Sequence, residues 1–227
     1  TFRYAVIRAP QQDSSISFVL NSDSTRLLDA REKITRFAER SSAVNVLATY
    51  VPSNTDVSVG DDYHVVKGRD LLEESYLGRR FLHHVQGFFQ NNFEMAGKLH
   101  EHCRAVFQKH QAAGRHLLDL YGGVGTFGII NSDLFESVNI VESFGQAIEC
   151  AKMNIELNSV QNVNAVALDA ARLKNLELPS PLVVITDPPR SGMHPKTIHQ
   201  LNVLSPELII YVSCNIKQLG ADLPKFK

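Results

Sequence analysis

The sequence predicts an α/β protein in two parts: a small α+β unit over residues 1–87, then a mostly parallel sheet covered on both faces by helices over residues 88–227. Three observations predict it. From Phe88 onward, short apolar runs alternate with segments of helical period, which is the grammar of βαβ units. A glycine-rich turn stands where one of those runs passes into a helix. Before Phe88 the order reads strand, strand, helix, strand, enough for a small sheet with a helix packed on it.

Composition agrees with that reading. The 227 residues are 44% hydrophobic and 21% charged, an ordinary globular balance that excludes disorder and collagen. No apolar run approaches the roughly 18 residues of a membrane span, and Thr1 to Pro10 carries charge inside its apolar stretch, unlike a signal peptide. The net charge of -1 requires that any polyanionic partner be held by a local basic patch or by a part outside this chain. Cys103, Cys150 and Cys214 are far apart with no C-x-x-C pair, so neither a disulfide framework nor a metal site is expected. A soluble monomer in a reducing compartment, cytoplasmic by default, follows. Thr1 is not a methionine and Lys227 falls in what reads as the first turns of a helix, so neither end is expected to be natural.

In the first part, Phe2 to Arg8 and Ser15 to Leu20 alternate apolar with polar residues and read as a hairpin about the turn chemistry of Pro10 to Ser14. Asp23 or Ser24 offers an N-cap to a helix with Leu27, Ala30, Ile34 and Phe37 on one face. Val44 to Val51 and Tyr63 to Lys67 read as strands about the polar loop Pro52 to Asp62. Tyr76-Leu77 and Phe81 to Val85, broken by Gly78, read as a second hairpin. Within it Arg79, Arg80, His83 and His84 make a basic stretch, better explained as a solvated face than as a binding site.

In the second part, Phe93, Ala96, Leu99, Cys103, Val106 and Phe107 form a helical stripe that gives Cys103 a packing role. Strands are expected at His116 to Tyr121, Ser137 to Glu142, Val163 to Ala167, Leu182 to Thr186 and Leu208 to Ser213. Ser143 and Gln146 suggest a capping box for a helix carrying Phe144, Ala147, Ile148, Ala151 and Ile155, with Cys150 in its packing.

The unusual residues fall at the carboxyl ends of these strands, where open α/β sheets bind ligands. Gly123, Gly125 and Gly128 satisfy G-x-G-x-x-G between a strand and a helix, so a cofactor can approach the backbone closely. Glu142 follows Gly125 by seventeen residues, at the end of the next strand, where a carboxylate can accept from both ribose hydroxyls. A Rossmann-like sheet with an adenosine cofactor is implied, either a dinucleotide or S-adenosylmethionine. Asp119 decides for the latter, because a carboxylate just before the loop repels a pyrophosphate and attracts the ammonium of a methionine moiety. Asp169 has two readings, an acceptor for the adenine amino group or a helix cap.

Asp187 precedes Pro188, Pro189 and Arg190, so two prolines hold a carboxylate rigidly at the sheet edge. Arg190 stands where amino-directed methyltransferases place an aromatic residue, and a guanidinium suits a phosphate or a base carbonyl. Cys214, in Ser213-Cys214-Asn215, lies at a strand's carboxyl end, placed like a nucleophile.

Together these segments resemble the RNA 5-methyluridine methyltransferase family, which modifies tRNA and ribosomal RNA. The resemblance runs from about Phe2 to Leu223 and rests on Phe88-Phe89-Gln90-Asn91, Asp119-Leu120-Tyr121 with Gly123-Val124-Gly125-Thr126-Phe127, Asp187-Pro188-Pro189-Arg190 and Ser213-Cys214-Asn215, in that order. It implies that Gln90, Tyr121, Thr126, Glu142 and Asp187 hold or position S-adenosylmethionine and that Cys214 is the nucleophile. It implies an RNA partner, a central-domain role for the early α+β segment, and an RNA-binding barrel that this chain does not include. Arg190 would steady the target base or a phosphate, while Phe88, Phe89 and Tyr121 would either stack on the flipped base or serve as core. Gly122 replaces the family's cysteine, a tolerable exchange, and Ile216 replaces the proline after Ser-Cys-Asn, which loosens the loop. The family's base is a glutamate beyond the cysteine, expected outside this chain, which ends thirteen residues after Cys214. The rival readings are an amino-directed methyltransferase, a nicotinamide-dependent oxidoreductase and a catalytically incomplete fragment that binds RNA or cofactor.

Overall fold

The computed structural model describes residues 1–110 and 112–227. They form two compact units, Thr1–Glu74 with Leu82–Asn91, and Ser75–Phe81 with Asn92–Lys227. The division falls after Asn91 rather than after Gly87, and the tip of the second hairpin goes with the later unit.

The first unit contains strands β1 (Phe2–Arg8) and β2 (Ser15–Asn21), helix α1 (Leu27–Arg40), and strands β3 (Asn45–Val51) and β4 (Tyr63–Lys67). The sheet runs β1-β2-β3-β4, with β2 and β3 parallel across the α1 crossover and the outer pairs antiparallel. Ala30, Ile34 and Ala38 of α1 pack on Leu20, Val46 and Ala48. Phe37, expected on that stripe, is 41% exposed and meets Phe18 edge-on. The helix begins without a side-chain cap because Asp23 is engaged elsewhere, accepting the Ser53 N–H at 2.9 Å.

Strands β5 (Leu71–Tyr76) and β6 (Arg79–His84) pair through Leu77 and Gly78, both in the left-handed region (φ 48° and 76°) as a two-residue mirror-image turn requires. The first arm thus starts five residues earlier than Tyr76. Of the basic stretch, Arg80 is exposed and Arg79 half-buried as a solvated face requires, whereas His83 and His84 are buried with Phe81; burial drives His83 down to about 4 and keeps it neutral.

The second unit contains α2 (Phe93–Lys109), β7 (His116–Leu120), α3 (Thr126–Ile130), β8 (Ser137–Glu142), α4 (Gly145–Leu157), β9 (Val163–Ala167), β10 (Leu182–Thr186), α5 (Pro195–Leu204), β11 (Leu208–Tyr211) and α6 (Ile216–Asp222). Among the described residues its sheet runs β11-β10-β7-β8-β9, every pair parallel, which is the expected Rossmann-like arrangement. From β7 the chain builds outward through β8 and β9, then returns to place β10 on the other side. The switch point, where such sheets open a crevice, therefore lies between β7 and β10. Leu118, Leu120, Val184, Ile198 and Leu201 make a core beneath it. Cys103 and Cys150 are buried as expected. No described helix is long and apolar enough to cross a membrane.

One cap differs from expectation. Ser143 and Gln146 form no capping box; the Glu142 carboxylate instead accepts the N–H groups of Ser143 (2.7 Å) and Phe144 (2.8 Å), so α4 starts at Gly145 and Phe144 is left 57% exposed. The Ser143 N–H that Gln146 would have accepted thus goes to Glu142, and the Ser143 hydroxyl donates to the same carboxylate at 3.3 Å instead of capping the helix.

Candidate active site

Strand register lines up the acidic and nucleophilic residues along one edge. Thr186 pairs with Leu120 on one side and Tyr211 on the other, Leu120 pairs with Val141, and Glu142 pairs with Ala167. Across β11-β10-β7-β8-β9 the carboxyl ends therefore present Cys214, Asp187, Tyr121 with the glycine loop, Glu142 and Asp169 in that order. Four interstrand spacings of about 4.8 Å make that edge roughly 19 Å long, enough for an extended nucleoside cofactor. Gln90 is exposed and belongs to the first unit.

The loop glycines do two different jobs. A Cβ on Gly122, Gly125 or Gly128 would come within 2.7, 2.8 or 2.9 Å of the Ile140 side chain on β8, whereas one on Gly123 meets nothing within 4 Å. Three glycines at helical spacing thus let α3 settle on the sheet, and Gly123 faces open space that a cofactor can enter. Gly122 is therefore more demanding than the exchange with cysteine suggests, since a larger residue displaces Ile140. Tyr121 holds φ 60°, a left-handed conformation that is rare and costly for an aromatic residue and that turns the chain sharply off β7. The Gly123 N–H reaches the Glu142 carboxylate at 3.2 Å, and Asn154 on α4 donates to the Val124 carbonyl at 3.0 Å. Asn154 is fully buried on the α4 stripe with Ile148 and Ala151; a polar residue on that apolar face was its signal in the sequence.

Asp119 is placed differently from expectation. It is 1% exposed, beneath the loop, and its carboxylate accepts the Gly128 N–H at 2.8 Å, so it fastens the loop from below instead of meeting an ammonium group. Burial pushes it up to about 7, against the Gly128 N–H and with help from the charges of Asp187 and Glu142. An unfolded aspartate titrates near 3.9, so between those values the native state binds the extra proton and stability falls as pH rises from about 4 to about 7. Asp119→Asn keeps an acceptor for Gly128 and removes this titration. Its melting temperature is expected to fall less steeply than wild type across that window; superimposable profiles would contradict the assignment.

Asp187 is half-buried, and its carboxylate has no hydrogen-bond partner among the described residues. Burial pushes it up to about 6, as expected of an acceptor awaiting a donor. With the open cradle at Gly123, this uncompensated carboxylate suits a ligand that brings its own amino or N–H groups. Asp169 is exposed and caps the following turn through the Ala171 N–H at 2.8 Å, leaving its second oxygen available. Thr126 opens α3 and is half-buried.

Cys214 is exposed beyond β11, and Arg190 is exposed beyond Asp187. Asn215 joins their loops: its Nδ2 donates to the Arg190 carbonyl at 3.1 Å while its Oδ1 accepts the Gln218 N–H and caps α6. Ile216 is 84% exposed. Of the Phe88-Phe89 pair, Phe88 is exposed and Phe89 is buried in a stack with His83, ring centroids 4.1 Å apart. The sequence did not reveal Asp222, a fully buried carboxylate at the end of α6, whose partners converge on it only in three dimensions.

The model of the tRNA (Uracil-5-)-methyltransferase family matches residues 53–227. An uncharacterized RNA methyltransferase of Caldanaerobacter subterraneus subsp. tengcongensis is 33% identical over 99% of this chain and 50% of its own length. The tRNA (uracil(54)-C(5))-methyltransferase of Pyrococcus horikoshii is 37% identical over 77% of this chain and 40% of its own length. The chain thus spans about half, or less, of the curated relatives it matches. Among solved structures, the Pyrococcus abyssi tRNA (uracil-54, C5)-methyltransferase in complex with S-adenosyl-L-homocysteine superposes with a TM-score of 0.77 and 27% identity, covering 100% of this chain and 53% of that one. A Methanocaldococcus jannaschii tRNA m1G37 methyltransferase, at 13% identity and TM-score 0.58, shares the fold. With more than half of its length matched by the family model, and with its motif residues lined along one sheet edge, the chain belongs to the tRNA (uracil-5-)-methyltransferase family.

Proposed function

We propose that this chain carries the catalytic fold of an S-adenosylmethionine-dependent methyltransferase acting on carbon 5 of a uridine in RNA, through a covalent adduct at Cys214. The observation that carries the reading is the order of groups along the sheet edge: Asp169 and Glu142 for adenine and ribose, the open Gly123 backbone, Asp187, and then the Cys214 thiol. The names of the Pyrococcus relatives, specific for uracil-54 of tRNA, favour tRNA over ribosomal RNA.

When bound, S-adenosylmethionine supplies an electrophilic methyl group to carbon 5 and departs as S-adenosylhomocysteine. Carbon 5 of uracil is a poor nucleophile, and the chain's own residues correct that. The Cys214 thiolate adds to carbon 6, and the pair from the 5,6 double bond moves to oxygen 4 as an enolate, which activates carbon 5. After methylation a base removes the carbon 5 proton; the double bond re-forms and the thiolate leaves. Asp187 holds the donor or the uracil N–H at the switch point, and Arg190 steadies a base oxygen or a phosphate. Tyr121 and Thr126 complete the cofactor's surroundings as the resemblance implies.

Calorimetric titration with S-adenosylhomocysteine, followed by mass mapping of tRNA and ribosomal RNA incubated with the protein and donor, tests this. Binding is expected, with 5-methyluridine at a single tRNA position from protein that also carries the glutamate base. Methylation of an amino group, or oxidation of a nicotinamide cofactor, would replace the reading with a different enzyme.

A further inference from the structure

Asp222 is 0% exposed and is the hub of a charged network among the described residues. Its Oδ2 accepts the Met193 N–H at 3.1 Å and the Tyr211 hydroxyl at 2.9 Å; its Oδ1 accepts Gln218 Nε2 at 3.1 Å and Lys225 Nζ at 2.8 Å. Burial alone would raise its carboxyl, but Lys225, Tyr211 and the Met193 N–H outweigh it and hold the group charged, below the usual range. A carboxylate taken out of water and given four donors is costly to build and unforgiving of the loss of one.

The location explains the investment. Met193 lies in the loop after β10 that begins at Asp187, while Tyr211 is the last residue of β11, three before Cys214. At the other end of α6, Asn215 donates to the Arg190 carbonyl in that same loop. The seven-residue helix is thus tied at both ends, at Asn215 and Asp222, to the segment carrying Asp187. Packing is equally close from the opposite side: a Cβ on Gly192 would sit 2.4 Å from Asp222 Oδ2 and 2.5 Å from Gln218 Cγ, at a φ of 81°.

We propose that Asp222 is a positioning residue for the nucleophile: together with Asn215 it clamps α6 across the two loops, so that the Cys214 thiol and the Asp187 carboxylate keep one fixed spacing. The inference rests on the reading of Cys214 as nucleophile. A misplacement of about 1 Å costs reactions of this kind on the order of 100-fold.

The test uses the intact chain with RNA containing 5-fluorouridine, measuring the rate of covalent complex formation at saturating RNA and donor alongside the affinity for S-adenosylhomocysteine. Asp222→Asn is expected to slow adduct formation by about 10- to 100-fold while cofactor affinity and the half-saturating RNA concentration stay within about threefold. Tyr211→Phe, which removes the hydroxyl that donates to Asp222, is expected to slow it by about 3- to 10-fold; it decides the matter if Asp222→Asn does not fold. Gly192→Ala is expected to reproduce the Asp222→Asn result from the opposite side. A wild-type adduct rate in Tyr211→Phe or in folded Asp222→Asn overturns the proposal. So does a parallel loss of adduct rate and cofactor affinity, which reports general loosening of the fold. A wild-type protein that forms no adduct overturns the nucleophile assignment, and this inference with it.

Discussion

Cys214→Ala is expected to lose methyl transfer by on the order of 10⁴-fold or more, the scale of deleting a covalent nucleophile, and to form no denaturation-resistant complex with 5-fluorouridine RNA. The thiol stands free and exposed beyond β11, so its removal leaves no cavity and no orphaned partner. The melting temperature and S-adenosylhomocysteine affinity of the variant are therefore expected to match wild type. That combination separates chemistry from folding: a variant that transfers methyl groups at the wild-type rate contradicts the covalent route outright. One that loses cofactor binding along with activity assigns the residue to the scaffold.

The second large effect is expected at Gly125. Its φ of 88° is a conformation that side chains rarely adopt, and a Cβ there would lie 2.8 Å from Ile140 Cδ1 and 3.2 Å from Ile129 Cδ1. The left-handed conformation costs an alanine roughly 1–2 kcal/mol, and crowding a packed site costs about 1–3 kcal/mol more. Gly125→Ala is accordingly expected to lose about 2–5 kcal/mol of stability, a fall in melting temperature of roughly 4–20 °C for a chain of this size, with cofactor binding lost as the loop shifts. Gly123→Ala is the control. Its Cβ meets nothing within 4 Å, so the stability loss is expected to be confined to roughly 1–2 kcal/mol of conformational cost, while cofactor affinity still falls steeply because the new methyl group occupies the open cradle. Equal melting temperatures for the two variants would contradict the division between packing glycines and the cofactor-facing one.

The central strands of the second unit, β7 and β10, were legible because they are buried on both faces and bounded by turn residues. Leu182 to Thr186 is five buried residues followed by Asp-Pro-Pro, which leaves little choice of structure. The motif residues were legible for the same reason: parallel strands of short length put every carboxyl end on one edge. What did not read through were competitions decided by three-dimensional partners. Ser143 and Gln146 looked like a capping box until the Glu142 carboxylate, three residues before the helix, took the Ser143 N–H that Gln146 would have satisfied. Asp119 looked like a ligand by position along the strand, but strand side chains alternate between faces, and burial beneath Gly128 put it out of reach. His83 and His84 looked solvated because charge is the only signal a lone sequence offers there; the fold buries them. Asp222 sits in an i to i+4 relation with Gln218 and i to i−3 with Lys225, a pattern shared by countless solvent-exposed helices, and only the approach of Met193 and Tyr211 distinguishes it.

In the proposed mechanism the sulfur at the end of β11 attacks the pyrimidine. The most direct measurement of that step is mass mapping of the peptide that stays attached to 5-fluorouridine RNA after denaturation and digestion. One modified peptide is expected, with the nucleotide on Cys214. A nucleotide on any other residue, or complete release of the RNA from protein that has bound both substrate and donor, contradicts it.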